Sequence, residues 1–299
     1  MEDRNVEIGS IGIISGCRES DQKSEDTTVE IWVDSVSLQP FTQEEWNAHH
    51  EQTIHKTRKG AMRIRAVNSA GEPVPNATIS IVQNRLGFSF GCEVEKNILG
   101  NQANQNWFTK RFTVTTFANE MKCMVSLYVD TISYGTTLST NLVESHFNTP
   151  NIPYMRSALD TLAATGLPIW LTEVDVQAPP NVQANYFEQV LREGHAHPQV
   201  KGMVTRSGYS PSGCYKMCLT DGNFRNLPAG DVVDKLLREW GGLRVQTTGL
   251  TDSDGFFEAS LFHGDYDINI AHPLINSTAS HSFTLTSDDS PPSPFVVHV

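Results

Sequence analysis

The stretch GLPIWLTEVDV, residues 166 to 176, decides the fold of this chain. Gly166 ends a helical pattern, an apolar run follows, and the run ends in Glu173 and Asp175, two positions apart on one face. A buried strand that ends in acids delivers them to the carboxyl edge of a sheet, where ligands bind in α/β folds. Glu173 is therefore predicted to be a nucleophile, a general base or a metal ligand. The alternative is that it only marks where the strand reaches solvent.

Helical and strand patterns alternate on both sides of this stretch. The pattern predicts helices at 153–166, 184–194 and 230–242, the last with Asp231 as N-cap, and a strand at 201–209. Short links between such elements are typical of parallel α/β units. The sequence therefore predicts an α/β fold.

Two further segments carry polar side chains after an apolar lead-in. LVESHFNTP (142–150) places Glu144 and His146 on one side, and a histidine beside a carboxylate orients it and favours its ionised form. FANEMK (117–122) supplies Asn119 and Lys122, which suit sugar hydroxyls. The alternatives are a surface turn for the first segment and a helix N-terminus capped by Asn119 for the second.

Composition excludes several function classes. The chain has 299 residues, 38% of them hydrophobic, and a net charge of −12. An acidic chain of this kind argues against a nucleic-acid partner, and no apolar run approaches the length of a membrane helix. The first 28 residues lack the basic start and apolar core of a secretory signal.

Histidine and cysteine spacing predicts no metal site, and no cofactor fingerprint is present. His195 and His197 are expected to be solvated loop histidines, because no acid or thiolate is spaced near them as a zinc partner. Cys214 and Cys218 form a disulfide or remain two free thiols.

Taken together, the motifs resemble glycoside hydrolase family 10, the plant endo-1,4-β-xylanases. WLTEVDV resembles the strand that carries the family's nucleophile, which implies that role for Glu173; ESHF resembles the preceding strand, which implies that His146 orients the nucleophile. ANEMK resembles the second barrel strand, so the resemblance implies sugar contacts for Asn119 and Lys122, with Glu144 also near the substrate.

The residue pattern and the resemblance together predict five regions and an incomplete (β/α)8 TIM-type barrel with flanking β-rich elements at both ends. The regions are a disordered N-terminus (1–28), a remnant strand of a carbohydrate-binding module plus linker (29–60), a β-rich element leading into the barrel (61–95), a truncated barrel (96–244) and a C-terminal β-element (245–299).

Departures from the family pattern affect the mechanism. The family carries its general acid/base on an Asn-Glu pair that ends the fourth strand, yet residues 123–143 contain no glutamate, and Asp130 is their only acid. The acid/base is therefore predicted to be absent, together with the middle barrel strands. Arg206 replaces a tryptophan that packs against the sugar, and Cys123 replaces another tryptophan.

The resemblance implies retaining hydrolysis of β-1,4-xylan in cell-wall catabolism, impaired here by the missing glutamate. No cofactor, nucleic acid or membrane is expected as a partner, and the sequence gives no oligomeric state. The family is secreted to the cell wall, although this chain shows no signal peptide. The alternatives are a non-catalytic xylan-binding remnant and a shortened transcript or gene model without stable function.

Overall fold

The structure, a computed structural model, describes residues 42–117, 140–206, 208–209, 214, 216–272, 277–287 and 294–299. These residues belong to one compact unit, Thr42–Val299. The predicted disordered N-terminus (1–28), the first part of the predicted remnant strand and linker (29–60) and the predicted sugar-contact residues Asn119 and Lys122 lie outside the described residues. Within the described part of the chain, no helix combines the length and apolar character needed to span a membrane.

The elements described in these ranges follow one another in this order: α1 Gln43–Arg58, β1 Lys59–Val67, β2 Thr78–Leu86, β3 Ser89–Cys92, a 3₁₀ helix Lys96–Gly100, α2 Gln102–Thr109, β4 Asn141–Val143, β5 His146–Phe147, α3 Ile152–Ala163, β6 Ile169–Val176, α4 Pro180–Ala196, β7 Val200–Thr205, α5 Pro228–Glu239, β8 Gln246–Leu250, β9 Phe256–Phe262, β10 Gly264–His272, β11 Ser277–Leu285 and β12 Phe295–His298.

A parallel sheet forms the centre of the α/β part. Its strand order is β3-β7-β6-β4, and β5 extends the line of β4 along β6. All of its pairings are parallel, and β6 is buried on both faces from Glu173 to Val176. The predicted α/β class is therefore confirmed.

The amphipathic helices α3 and α4 pack against this sheet. α4 buries Phe187, Val190 and Leu191, which recur at helical spacing, and α3 begins where the Asn151 side chain accepts a hydrogen bond from the Tyr154 backbone N–H at 3.0 Å. The helices predicted at 153–166 and 184–194 are therefore present, and the second begins earlier than predicted.

α1 is hydrogen-bonded to the C-terminal end of α4. Thr42 and Glu45 form a capping box at the start of α1. At the other end of α1, Arg58 donates hydrogen bonds to the carbonyl oxygens of His195, His197 and Val200 at 2.6–3.0 Å. Burial lowers the pKa of Arg58 to about 10, and these carbonyl contacts at a helix C-terminus stabilise its charge.

A second core lies between two antiparallel-rich sheets. One has the order β12-β1-β9 and the other β11-β10-β2-β8, so strands from 59–86 pair with strands from 246–298. Strand alternation puts Ile64, Ile79, Ile81, Ile268 and Ile270 in this core, each at most 1% exposed.

Two local predictions are wrong. His195 and His197 are each 1% exposed rather than solvated, because α4 continues through Ala196 and His195 stacks on Trp240 at 3.9 Å. Asp231 is not the N-cap of the last helix. α5 begins at Pro228, whose fixed φ suits a first helical position. For Cys214 and Cys218, left open by the sequence, the structure contains a disulfide.

Candidate active site

β6 is irregular near its carboxyl end, at Glu173, the glutamate predicted from the sequence to be functional. β6 shifts its register by one residue against β4–β5 and against β7, both times between Leu171 and Asp175. Such bulges re-aim side chains and are frequent next to active sites. Here the bulge includes Glu173, and the alternation of buried and half-buried residues along β6 stops at this position.

Glu173 lies between an imidazole and a guanidinium. Its side chain is 10% exposed, and its Oε2 is 3.7 Å from Nε2 of His146 and 3.4 Å from Nη1 of Arg206. Arg206 directly follows β7, and its backbone N–H donates to the carbonyl of Val174 at 2.9 Å. Three neighbouring strand ends therefore bring these groups together.

Asp175 is the most deeply buried acid of the cluster. It is 2% exposed, its Oδ1 is 3.1 Å from Nδ1 of His146, and its Oδ2 is 3.9 Å from Nη1 of Arg206. Within the described residues, neither oxygen of Asp175 makes a hydrogen bond of good geometry. Its carboxylate therefore acts on the histidine and the arginine mainly through charge.

Glu144 lies on the solvent side of the His146 imidazole. Its side chain is 69% exposed, and its Oε2 is 4.0 Å from Nε2 of His146. The structure thus brings together three of the five site residues selected from the sequence, Glu173, His146 and Glu144. Asn119 and Lys122 lie outside the described residues.

Two members of the cluster were missed by sequence reasoning. Arg206 was noted only as a departure, and Glu93 was not selected. Glu93 follows β3, its side chain is 8% exposed, and its Oε2 is 3.8 Å from Nε of Arg206. The signal that could have found Glu93 is the one that found Glu173, an acid directly after an apolar strand.

Cys92 lies next to Glu93 but is unsuited to nucleophilic chemistry. It is a free, buried cysteine, and burial raises the pKa of its thiol to about 12. A thiol in this environment stays protonated and inert at neutral pH. The reactive groups at this sheet edge are therefore the carboxylates.

The cluster combines four carboxylates with one guanidinium and one imidazole. A carboxylate held between a cation and an imidazole can attack an electrophilic carbon as a nucleophile. The same side chains also offer a set of metal ligands, because one ligand atom each from Glu144, His146 and Glu173 lie within 4.8 Å of one another. A cavity of about 510 Å³ lies elsewhere, near the amino-terminal ends of β3, β6 and β7, and does not include Glu173.

Comparisons with known proteins place this geometry in context. No family model matches the chain. Endo-1,4-beta-xylanase 5 of Arabidopsis thaliana is 27% identical over 94% of this chain and 74% of its own length. Endo-1,4-beta-xylanase 4 of the same plant is 24% identical over 84% of this chain and 70% of its own length.

The chain is similar to endo-1,4-beta-xylanases of Arabidopsis thaliana over most of its length. The predicted resemblance to glycoside hydrolase family 10 is therefore confirmed. The alignment with xylanase 5 spans 422 positions, 123 more than the 299 residues of this chain. At least that many positions of the xylanase alignment have no counterpart here.

Among solved structures, xylanase 10B of Thermotoga petrophila in complex with xylobiose is 20% identical, covers 41% of this chain and 43% of that protein, and has a TM-score of 0.31. Native xylanase 10B of Thermotoga maritima is 21% identical with a TM-score of 0.29. These likenesses are too slight to carry an argument.

Proposed function

We propose that this chain is a glycoside hydrolase family 10 protein that has kept the nucleophile half of a retaining endo-1,4-β-xylanase site and lost the general acid/base. The observation that carries the proposal is the position of Glu173, in a bulge at the carboxyl end of a parallel strand, 3.7 Å from His146 and 3.4 Å from Arg206. The substrate class is β-1,4-xylan or a xylo-oligosaccharide.

In this mechanism Glu173 attacks the anomeric carbon, and the bond from that carbon to the leaving oxygen breaks. A second carboxyl group, about 5–5.5 Å away, normally gives its proton to the leaving oxygen and then takes one from the water that hydrolyses the glycosyl-enzyme. The nucleophile must be ionised, and the positive charge of Arg206 beside it favours that form.

The described carboxylates do not offer a good proton donor. Glu93 and Asp175 each form an ion pair with Arg206, at 3.8 and 3.9 Å. Glu144 is largely exposed and lies beside the imidazole of His146. The chain is therefore proposed to form a glycosyl-enzyme only when the leaving group needs no proton.

An incomplete barrel accounts for the loss. Residues 123–143 are too few for the three βα units that a complete (β/α)8 barrel would place between Lys122 and Glu144, since such barrels take about 250 residues. The alignment with xylanase 5 exceeds this chain by 123 positions, which supports a chain shortened relative to that xylanase. The acid/base glutamate would lie on the part that is lost.

A second candidate is a non-catalytic xylan-binding remnant. The guanidinium of Arg206 lies 3.4 Å from Oε2 of Glu173 and is only partly exposed, so it hinders attack by this carboxylate on a sugar and also argues against strong sugar binding at this position. In this second function xylo-oligosaccharides bind but are not cleaved.

The first experiment uses an aryl β-xylobioside with a good leaving group, added to the full chain. A burst of aryl alcohol that is lost in Glu173→Gln and kept in Glu258→Gln would support the half-site, because such a leaving group needs little acid assistance. Glu258 is a suitable control because its side chain is 68% exposed and pairs with Arg63 on a strand away from the site.

A thermal melt of the same preparation separates the remaining outcomes. A cooperative melt without a burst, together with xylohexaose binding, would favour the non-catalytic remnant. Neither a burst nor a melting transition would mean that the shortened chain has no stable function, and it would contradict both proposals.

A further inference from the structure

We propose that Glu144, His146 and Glu173 bind a divalent transition-metal ion such as Zn²⁺, with Asp175 orienting the imidazole from behind. The site needs no xylanase activity and does not rest on the proposed function, although it uses the same nucleophile carboxylate. The spacing of histidines and cysteines does not predict this site, because Glu173 on β6 is distant in sequence from Glu144 and His146.

The three ligand atoms suit a metal ion of intermediate softness, such as Zn²⁺. One imidazole nitrogen and two carboxylate oxygens are ligands that zinc uses, whereas Ca²⁺ and Mg²⁺ prefer oxygen donors alone. Nε2 of His146 is 3.7 Å from Glu173 Oε2 and 4.0 Å from Glu144 Oε2. Ligands at zinc distances in a tetrahedron lie roughly 3.3–3.6 Å apart, so a small movement of the exposed Glu144 side chain closes the site.

Asp175 supplies independent support. It is 2% exposed, and neither of its oxygens has a hydrogen-bond partner among the described residues, yet Oδ1 lies 3.1 Å from Nδ1 of His146. Through its charge, a carboxylate beside Nδ1 of a ligating histidine favours the tautomer with the proton on Nδ1, which leaves the Nε2 lone pair for the metal. That lone pair faces Glu144 and Glu173.

Arg206 is a neighbouring cation that would affect a bound metal. Its Nη1 lies 3.4 Å from Oε2 of Glu173, so its positive charge would weaken metal binding by repulsion.

The test is equilibrium dialysis of the full, untagged chain against Zn²⁺ alone. We expect one ion per chain, lost in His146→Ala and in Glu144→Gln; the latter changes an exposed side chain without changing its shape and leaves folding intact. Asp175→Asn should weaken binding by about 10- to 100-fold, as for other groups behind a metal-bound histidine.

Three controls make the result specific. His55→Ala removes an exposed histidine on α1 and should leave the site unchanged. Arg206→Met should tighten zinc binding because it removes a neighbouring positive charge. An excess of Ca²⁺ or Mg²⁺ should not displace the zinc.

The inference is overturned if the chain shows no zinc site that depends on His146, or if Glu144→Gln binds as the unchanged chain does. Dialysis measures the ion itself, so its result is independent of xylobioside turnover. If the chain cleaves the xylobioside but binds no zinc, the metal site is contradicted and the proposed hydrolase is not. If the chain binds zinc through His146 but shows no cleavage, the metal site is supported and the proposed hydrolase is contradicted.

Discussion

Arg206 is expected to stabilise the fold through the acids around it. Its guanidinium lies within 3.4–3.9 Å of carboxylate oxygens of Glu93, Glu173 and Asp175, whose side chains are at most 10% exposed. Arg206→Leu removes a positive charge from beside three largely buried carboxylates, and we expect the free energy of unfolding at pH 7 to fall by about 1–3 kcal/mol, since Arg206 itself is partly exposed. Urea denaturation measures the change.

The matched control for Arg206 is Arg225→Leu. Arg225 is 76% exposed and pairs with Asp221 four residues away, so its loss should cost less than about 1 kcal/mol. Equal effects of the two substitutions would show that the buried cluster does not depend on the charge of Arg206.

His195 predicts a loss of stability on mild acidification. Burial, and then the charges of Arg58 and Arg192, lower its pKa well below the usual value. The unfolded chain therefore binds a proton at His195 as the pH falls through about 6.5, whereas the folded chain does not bind one at that pH. Stability is retained above that pH and falls below it, by at most about 1.4 kcal/mol per pH unit from this residue.

His195→Phe should flatten the fall in melting temperature between pH 7 and pH 5, because phenylalanine has no proton to bind. The same change at the exposed His55 should leave the slope as it was. His197 also has a pKa lowered by burial, so part of the slope should remain. An unchanged slope in His195→Phe would contradict the prediction.

At the scale of elements, Glu193 joins three helices through charge. It is 0% exposed on α4, it lies 2.7 Å from Nε2 of His50 on α1, and it pairs with Arg156 on α3. Burial alone would raise the pKa of Glu193, but the hydrogen bond from His50 and the charge of Arg156 outweigh it and hold the pKa below its usual value. The helices therefore share one buried ionised centre.

Glu193→Gln should cost roughly 3 kcal/mol at pH 7, because it leaves Arg156 partly buried without its carboxylate. The pKa is lowered in the folded state, so this stabilisation is present above about pH 4.3 and is lost as the pH falls through the folded value. Urea denaturation at pH 7 and pH 3 should show the variant approaching the unchanged chain in acid. Glu258→Gln, at an exposed pair, should cost less than about 1 kcal/mol at either pH.

Helices and strands could be predicted from the local spacing of apolar residues, whereas features that depend on contacts between residues distant in sequence could not. The strand that ends in Glu173 and the helix containing Phe187 were predictable because the spacing of apolar residues reflects which face is buried. The bulge at Glu173 was not predictable, since the register of β6 depends on its pairing with the strands on both sides. The burial of His195 and its stacking on Trp240 depend on a partner 45 residues away, which periodicity does not encode.

At the scale of the whole molecule, an incomplete barrel would leave a sheet edge. β4 pairs with β6 on one side, and no strand in the described part of the chain pairs with its other side. Leu142, at the centre of β4, is 63% exposed. An open edge with an exposed apolar residue is a template for pairing with another chain.

We therefore expect the chain to associate as its concentration rises, and Leu142→Lys to weaken that association because a charge on an edge strand opposes pairing between edges. Sedimentation velocity over a range of concentrations measures it. Leu99→Lys is the control, since Leu99 is 70% exposed but lies in the 3₁₀ helix rather than on a strand. A chain that stays monomeric at every concentration, or two variants that behave alike, would mean that this edge is covered and that the barrel is more nearly closed than proposed.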